Sequence, residues 1–137
     1  MVLDASMTLA WHFADEVTPV TRAVSAMCDE HAVMVPSHWF FEVANGLLVG
    51  ERRRRSDISD SARFLQRLGT LDIVVDELEP SKTLLSILPL ARAHGLTAYD
   101  TLYLELAERR GLPLGSLDGP LCDAARRVGV QVVTDSL

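Results

Sequence analysis

The chain has 137 residues, enough for one domain with a real core and short for two. Hydrophobic residues make up 48% and charged residues 23%, as in ordinary folded proteins, and no apolar run approaches the ~20 residues that span a bilayer. The formal net charge of −6 argues against a protein that coats nucleic acid over its whole surface.

Strand and helix signals alternate along the chain as a single domain over residues 1–137, without repeats or linkers. "MVLD" is a short apolar run ending in an acid, a first strand. A short helix over residues 5–13 and another from Pro19 to Glu30 follow. "AVMVP", residues 32–36, reads as a strand buried on both faces. Ser37 is expected to cap a long helix, "HWFFEVANGLLVGERRRR". "SDISDSARFLQRLGTL" begins a further helix with Ser56 or Asp57 as its cap, and "DIVVDE" is a third strand. "PSKTLLSILPLARAHG" is a helix, bent near Pro89 and closed by Gly95. "LTAYDTLYLELAERRG" is the next, "LPLGSL" a fourth strand, "GPLCDAARRVG" a last helix and "VQVVT" a fifth strand. Strands joined by helices imply a three-layer α/β/α sandwich around a mostly parallel sheet of about five strands.

The N-terminus "MVLDAS" has no basic segment and no long apolar one, so it is not read as a signal peptide. Cys28 and Cys122 show no pattern and are expected to be reduced thiols in a cytoplasmic protein.

Ligand pockets of open parallel sheets lie at the carboxyl ends of the strands, and that rule gives four acids their meaning. Asp4 ends the first strand and Asp118 the fourth. Asp100 opens its helix but is absent from that helix's polar face, Thr101, Glu105, Glu108 and Arg109; the residues one and two turns on are Tyr103, Leu104 and Ala107. Glu42 is the only acid between Ser37 and Gly50, on a helix apolar nearly all round. Each has a purely structural explanation. Asp4 and Asp118 suit helix caps, Asp100 suits a helix dipole, and Glu42 suits a buried ion pair. Together they suggest one acidic cluster. Packed carboxylates repel and raise one another's pKa unless a cation neutralises them. The chain has thirteen basic residues, and Lys82 is the only lysine. Hard oxygen donors suit Mg²⁺, with Mn²⁺ an alternative. His12, His31, His38 and His94 are scattered and are not expected to be ligands.

The chain resembles the PIN-domain ribonucleases, specifically the VapC-type toxins of bacterial toxin–antitoxin pairs, along nearly its whole length. "MVLDASMTLAWHFADE" looks like the family's opening strand and helix. "VPSHWFFEVANGLLVGERRRR" looks like its second strand and Glu-bearing helix. "LTAYDTLYLELAERRGLPLGSLDGPLCDAARRVGVQVV" looks like its closing segment. The resemblance implies a Mg²⁺-dependent endoribonuclease that cuts RNA with metal-activated water. Its metal-binding acids fall on Asp4, Glu42, Asp100 and Asp118, and Ser116 stands where the family has a Thr or Ser beside the last Asp. It also implies a small inhibitory antitoxin protein and a homodimer. Gly119-Pro120 departs from the polar pair expected after Asp118.

Ser6 is read either as a helix cap or as part of this site, and Asn45 as a hydrogen-bond partner of Glu42 or a pocket-lining residue. Arg52 to Arg55 read as a solvated helix end or as a contact for RNA phosphates or acidic antitoxin residues. Arg109 and Arg110 have the same two readings. Trp11, Phe13, Trp39 and Phe40 read as core or as a partner-binding groove in preference to base-stacking platforms. The competing functional readings are a catalytically silent PIN domain and a receiver-like regulatory module with an acidic pocket. The latter requires a pocket lysine, for which only Lys82 is available.

Overall fold

The computed structural model describes all 137 residues. Four parallel strands form one sheet in the order β3-β2-β1-β4: β1 (Val2–Leu3), β2 (Val33–Pro36), β3 (Ile73–Asp76) and β4 (Leu114–Gly115). Seven helices surround it: α1 (Ala5–Ala10), α2 (Pro19–Glu30), α3 (Trp39–Arg52), α4 (Ile58–Leu68), α5 (Pro80–His94), α6 (Ala98–Arg110) and α7 (Gly119–Arg127). Val2, Leu3, Val33, Val35 and Leu114 are all buried, as strands covered on both faces require. β3 is an edge strand, and Val74 and Val75 stay partly exposed there.

The expected fifth strand does not form. Val132 makes a single parallel bridge to Leu114, and the backbone then turns into a 3-10 helix, Val133–Ser136. The two-residue β4 offers too short an edge for a longer ladder.

Helix ends follow local chemistry. Thr18 and Thr21 form a reciprocal cap on α2, with Pro19 at its first position, and Asp57 and Asp60 do the same for α4. α5 and α6 end at Gly95 (φ 64°) and Gly111 (φ 63°), in the left-handed conformation glycine tolerates. Pro89 lies within α5 without ending it. Ser37 is not the cap of α3. His38 holds that position, and no side chain bonds the free amides.

α6 also departs from its expected pattern. Thr101 and Glu105, assigned to its polar face, are buried. The Thr101 hydroxyl turns back to the Thr97 carbonyl at 2.7 Å. Glu105 accepts from Arg109 Nε at 2.7 Å, and Arg109 and Arg110 both pair with the fully buried carboxylate of Asp76 at the end of β3. α5 packs against α6 and helps cover that face.

Two glycines bring α3 onto α1 and the turn that follows it. A Cβ on Gly46 would lie 2.3 Å from Leu9 Cδ1, and one on Gly50 2.6 Å from Phe13 Cε1. This close approach places the helix bearing Glu42 beside the strand end bearing Asp4.

Candidate active site

The chain runs β1, β2, β3 outward in one direction, then crosses back to add β4 on the other side of β1. The crevice at the carboxyl ends of β1 and β4 is therefore the point where strand order reverses, where open α/β sheets place ligands. Asp4 directly follows β1, and its amide bonds the Gly115 carbonyl of β4 at 2.9 Å. Ser116 then sits beside Asp4, and Asp118 begins α7.

Asp4 is buried, and its backbone holds the cap position of α1 without a side-chain cap. Its Oδ2 instead accepts from the Ser6 and Ser116 hydroxyls, both at 2.6 Å. Ser116 Oγ also accepts from the Asp118 amide at 3.0 Å, and Ser6 Oγ from the Leu117 amide at 3.0 Å. Ser6, proposed above as a cap or a site residue, thus belongs to the site's framework. Burial pushes the Asp4 carboxyl above its usual range. The two hydroxyls oppose that shift and the charge of Glu42 adds to it.

Glu42 is half-buried and pairs with no arginine. Its Oε1 accepts from the Tyr103 hydroxyl at 2.6 Å, and His38 Nε2 stands 2.9 Å from the same oxygen. The imidazole meets that oxygen off-line, so both of its buried ring nitrogens lack a well-aligned hydrogen bond. Burial alone would raise the Glu42 carboxyl. His38 and Tyr103 outweigh burial and hold it below the usual range.

Asp100 stands in the first turn of α6, partly exposed rather than fully inward. Burial is the first cause of its raised pKa, followed by the charge of Asp118, with Glu42 adding to it. Asp118 caps α7 through Oδ1, which accepts from the Leu121 amide at 2.8 Å. It also lines a groove of about 630 Å³ with Ser6, Glu42, Asn45 and Arg55.

Glu42 and Asp118 thus share one groove, Asp4 lies within electrostatic range of Glu42, and Asp100 within range of Asp118 and Glu42. None of the chain's ion pairs involves Asp4, Asp100 or Asp118, and Glu42 meets only His38. The carboxylates do not close on one another: no group of three or more His, Cys, Asp or Glu side chains is gathered tightly enough to hold an ion by itself. The donor set is nevertheless of hard oxygens without a cation, with Asp4 Oδ1 and Glu42 Oε2 spared by the hydroxyl partners. Such donors fit a divalent ion such as Mg²⁺ or Mn²⁺.

Comparison with known proteins gives the family. The PIN-domain family profile matches residues 1–127. Ribonuclease VapC3 of Pyrobaculum aerophilum is 30% identical over 124 residues, 90% of this chain and 92% of that protein. This chain is a PIN-domain protein of the VapC type. The crystal structure of PAE2754 from the same organism superposes on the PIN domain with a TM-score of 0.68, at 25% identity, covering 98% of this chain and 84% of that one.

The residues missed from sequence are Tyr103 and His38. Tyr103 has the spacing of a core residue, and nothing local marks its hydroxyl. His38 lies four residues before Glu42, a spacing that places both side chains on one helix face. Trp39 is core and donates to the Thr8 hydroxyl at 3.2 Å, whereas Phe40 is 47% exposed. Trp11 donates to the Thr21 carbonyl at 2.9 Å, and Phe13 lies beneath the Arg55 guanidinium at 4.0 Å. Arg109 and Arg110 are engaged by Asp76, which favours their structural reading.

Proposed function

We propose that this PIN domain is an endoribonuclease that requires a divalent cation, Mg²⁺ or alternatively Mn²⁺, and hydrolyses RNA phosphodiester bonds. The observation carrying this reading is the set of acids at the strand-order switch point, none of which pairs with an arginine or lysine; Arg55, which lines the groove there, is held by Asp15 and Glu16 instead. Asp4, Glu42, Asp100 and Asp118 would hold the cation, with Ser116 orienting Asp4. A bound divalent ion supplies charge neutralisation at the phosphoryl oxygen and eases ionisation of water. The protein's part is to position the carboxylates. Ser6 and Ser116 fix Asp4, Tyr103 fixes Glu42, and the first turn of α7 fixes Asp118.

Relatedness to a protein named as a VapC ribonuclease supports RNA as substrate and a small antitoxin as inhibitor. An apolar groove of about 620 Å³ between α3 and α4, lined by Phe40, Val43, Leu47, Leu48 and Leu65 among others, suits an amphipathic segment of such an antitoxin. Arg52, Arg53 and Arg54 are exposed and make no ion pair, so they are available to RNA phosphates or to acidic antitoxin residues. We assign the protein to the cytoplasm as a homodimer. No helix is long and apolar enough to cross a membrane.

The receiver-like alternative lacks its pocket lysine. Lys82 pairs with Glu79 at 2.7 Å and lines a different hollow with Glu77 and Arg109. The test is cleavage of a mixed RNA substrate with Mg²⁺, with Mn²⁺ and with EDTA. Cleavage that EDTA abolishes, and that Asp4→Asn also abolishes, is expected. Cleavage unaffected by EDTA would overturn metal dependence. A folded protein that cuts no RNA under any of these conditions would favour the catalytically silent reading.

A further inference from the structure

Glu42 is held by one oxygen only. The Tyr103 hydroxyl donates to Oε1 at 2.6 Å, and His38 Nε2 approaches that same atom at 2.9 Å, while Oε2 receives no protein donor. Tyr103 is itself fully buried, so its hydroxyl cannot turn to solvent instead. The His38 ring packs 5.0 Å from the Tyr103 ring and 5.9 Å from that of Tyr99, which restricts its rotation. Two groups thus meet Oε1 from α3 and α6, the helices that carry Glu42 and Asp100.

We propose that Tyr103 and His38 are positioning residues. They immobilise Glu42 through Oε1 so that it meets a divalent cation through Oε2 alone. The inference rests on the metal-dependent reading above and adds to it how one acid is aimed. It parallels Asp4, where both serine hydroxyls fall on Oδ2 and spare Oδ1. A single aimed oxygen from each acid leaves room in the hollow for water and a phosphodiester. A carboxylate free to rotate could bind through both oxygens and occupy that room. Outer partners that orient metal-binding side chains are worth about 10–100-fold in metal affinity.

The test is Mn²⁺ binding to the full chain, followed by electron paramagnetic resonance and by titration calorimetry, together with the melting temperature in EDTA. Tyr103→Phe keeps the ring in the core and removes only the hydroxyl. It is expected to weaken Mn²⁺ binding at least about tenfold. His38→Ala is expected to weaken it by a smaller factor, because its contact is poorly aligned. A purely structural role would lower the metal-free melting temperature and leave the Mn²⁺ affinity of the folded protein unchanged. Wild-type affinity in both folded variants would therefore overturn the proposal while leaving the nuclease reading intact. Failure of the wild-type protein to bind Mn²⁺ at all would overturn both.

Discussion

Ser116 and Asp4 lie 112 positions apart in the chain and are joined by a 2.6 Å hydrogen bond from the serine hydroxyl to Oδ2. The same serine oxygen accepts the Asp118 amide, so one side chain spans the ends of β1 and β4 and the start of α7. Ser116→Ala removes both interactions and leaves a buried carboxylate with one donor fewer. The expected loss is about 1–3 kcal/mol of stability and about 10–100-fold in cleavage. Urea titration and initial cleavage rates check these two effects, and wild-type rates in the variant would remove Ser116 from the site.

Asp100 makes no ion pair, and besides its burial the charges of Asp118 and Glu42 act against its carboxylate. Asp100→Asn keeps the shape and removes the repulsion. Without metal the variant should melt at or above the wild-type temperature, and it should lose cleavage. Active sites commonly trade stability for function in this way. A scanning melt in EDTA, paired with an RNA cleavage assay, measures both. A lower melting temperature would show that the favourable placement of the Asp100 charge at the start of α6 outweighs its repulsion from Asp118 and Glu42.

Asp76 shows the opposite balance. Its side chain is fully buried, and burial alone would raise its pKa. Its bonds to Arg109 and Arg110 outweigh burial and hold it below the usual carboxylate range. The folded pKa is thus depressed. The stabilisation is complete above the unfolded value of about 3.9 and is lost as pH falls through the folded value. Stability measured by urea between pH 7 and pH 3 should fall with acidification, and more steeply in the wild type than in Asp76→Asn. At neutral pH, Asp76→Ala leaves Arg109 with Glu105 alone and Arg110 without a partner, and should cost about 1–3 kcal/mol because both guanidinium groups keep access to water.

Gly46 faces α1 and Gly50 faces Phe13, just beyond that helix. A methyl at Gly46 meets the end of the Leu9 side chain, which can rotate aside. At Gly50 it meets Phe13, whose ring lies under the Arg55 guanidinium, itself held by Asp15 and Glu16 at 2.9 Å each. Alanine gains about 1 kcal/mol of helix propensity over glycine, and overpacking costs about 1–3 kcal/mol. Gly46→Ala should therefore be near neutral and Gly50→Ala destabilising. Denaturation midpoints of the two variants, compared side by side, decide the order.

The alternation of elements, the span of α2, the cap of α4 at Ser56 or Asp57 and the glycine end of α5 were legible in the sequence. Each depends on residues within a few positions of one another. The acids were legible as candidates because a carboxylate in an apolar context stands out without any knowledge of its partners. The burial of Thr101 and Glu105 was not legible. It depends on α5 covering α6 and on Asp76 arriving from β3, a relation among segments far apart in the chain. The fifth strand failed for a similar reason: apolar residues of strand type were present, but the edge they needed was two residues long.

By itself the amino-acid sequence determined an α/β chain whose acids fall at strand ends and helix starts, because hydrophobic periodicity and turn chemistry act locally. Only the tertiary structure decided that Gly46 lets α3 close on α1 and Gly50 lets it close on Phe13, and that Ser6, Ser116, Tyr103 and His38 each take hold of an acid. Those pairings require atoms from separate segments to meet within hydrogen-bonding distance, and the packing of the whole core sets that separation.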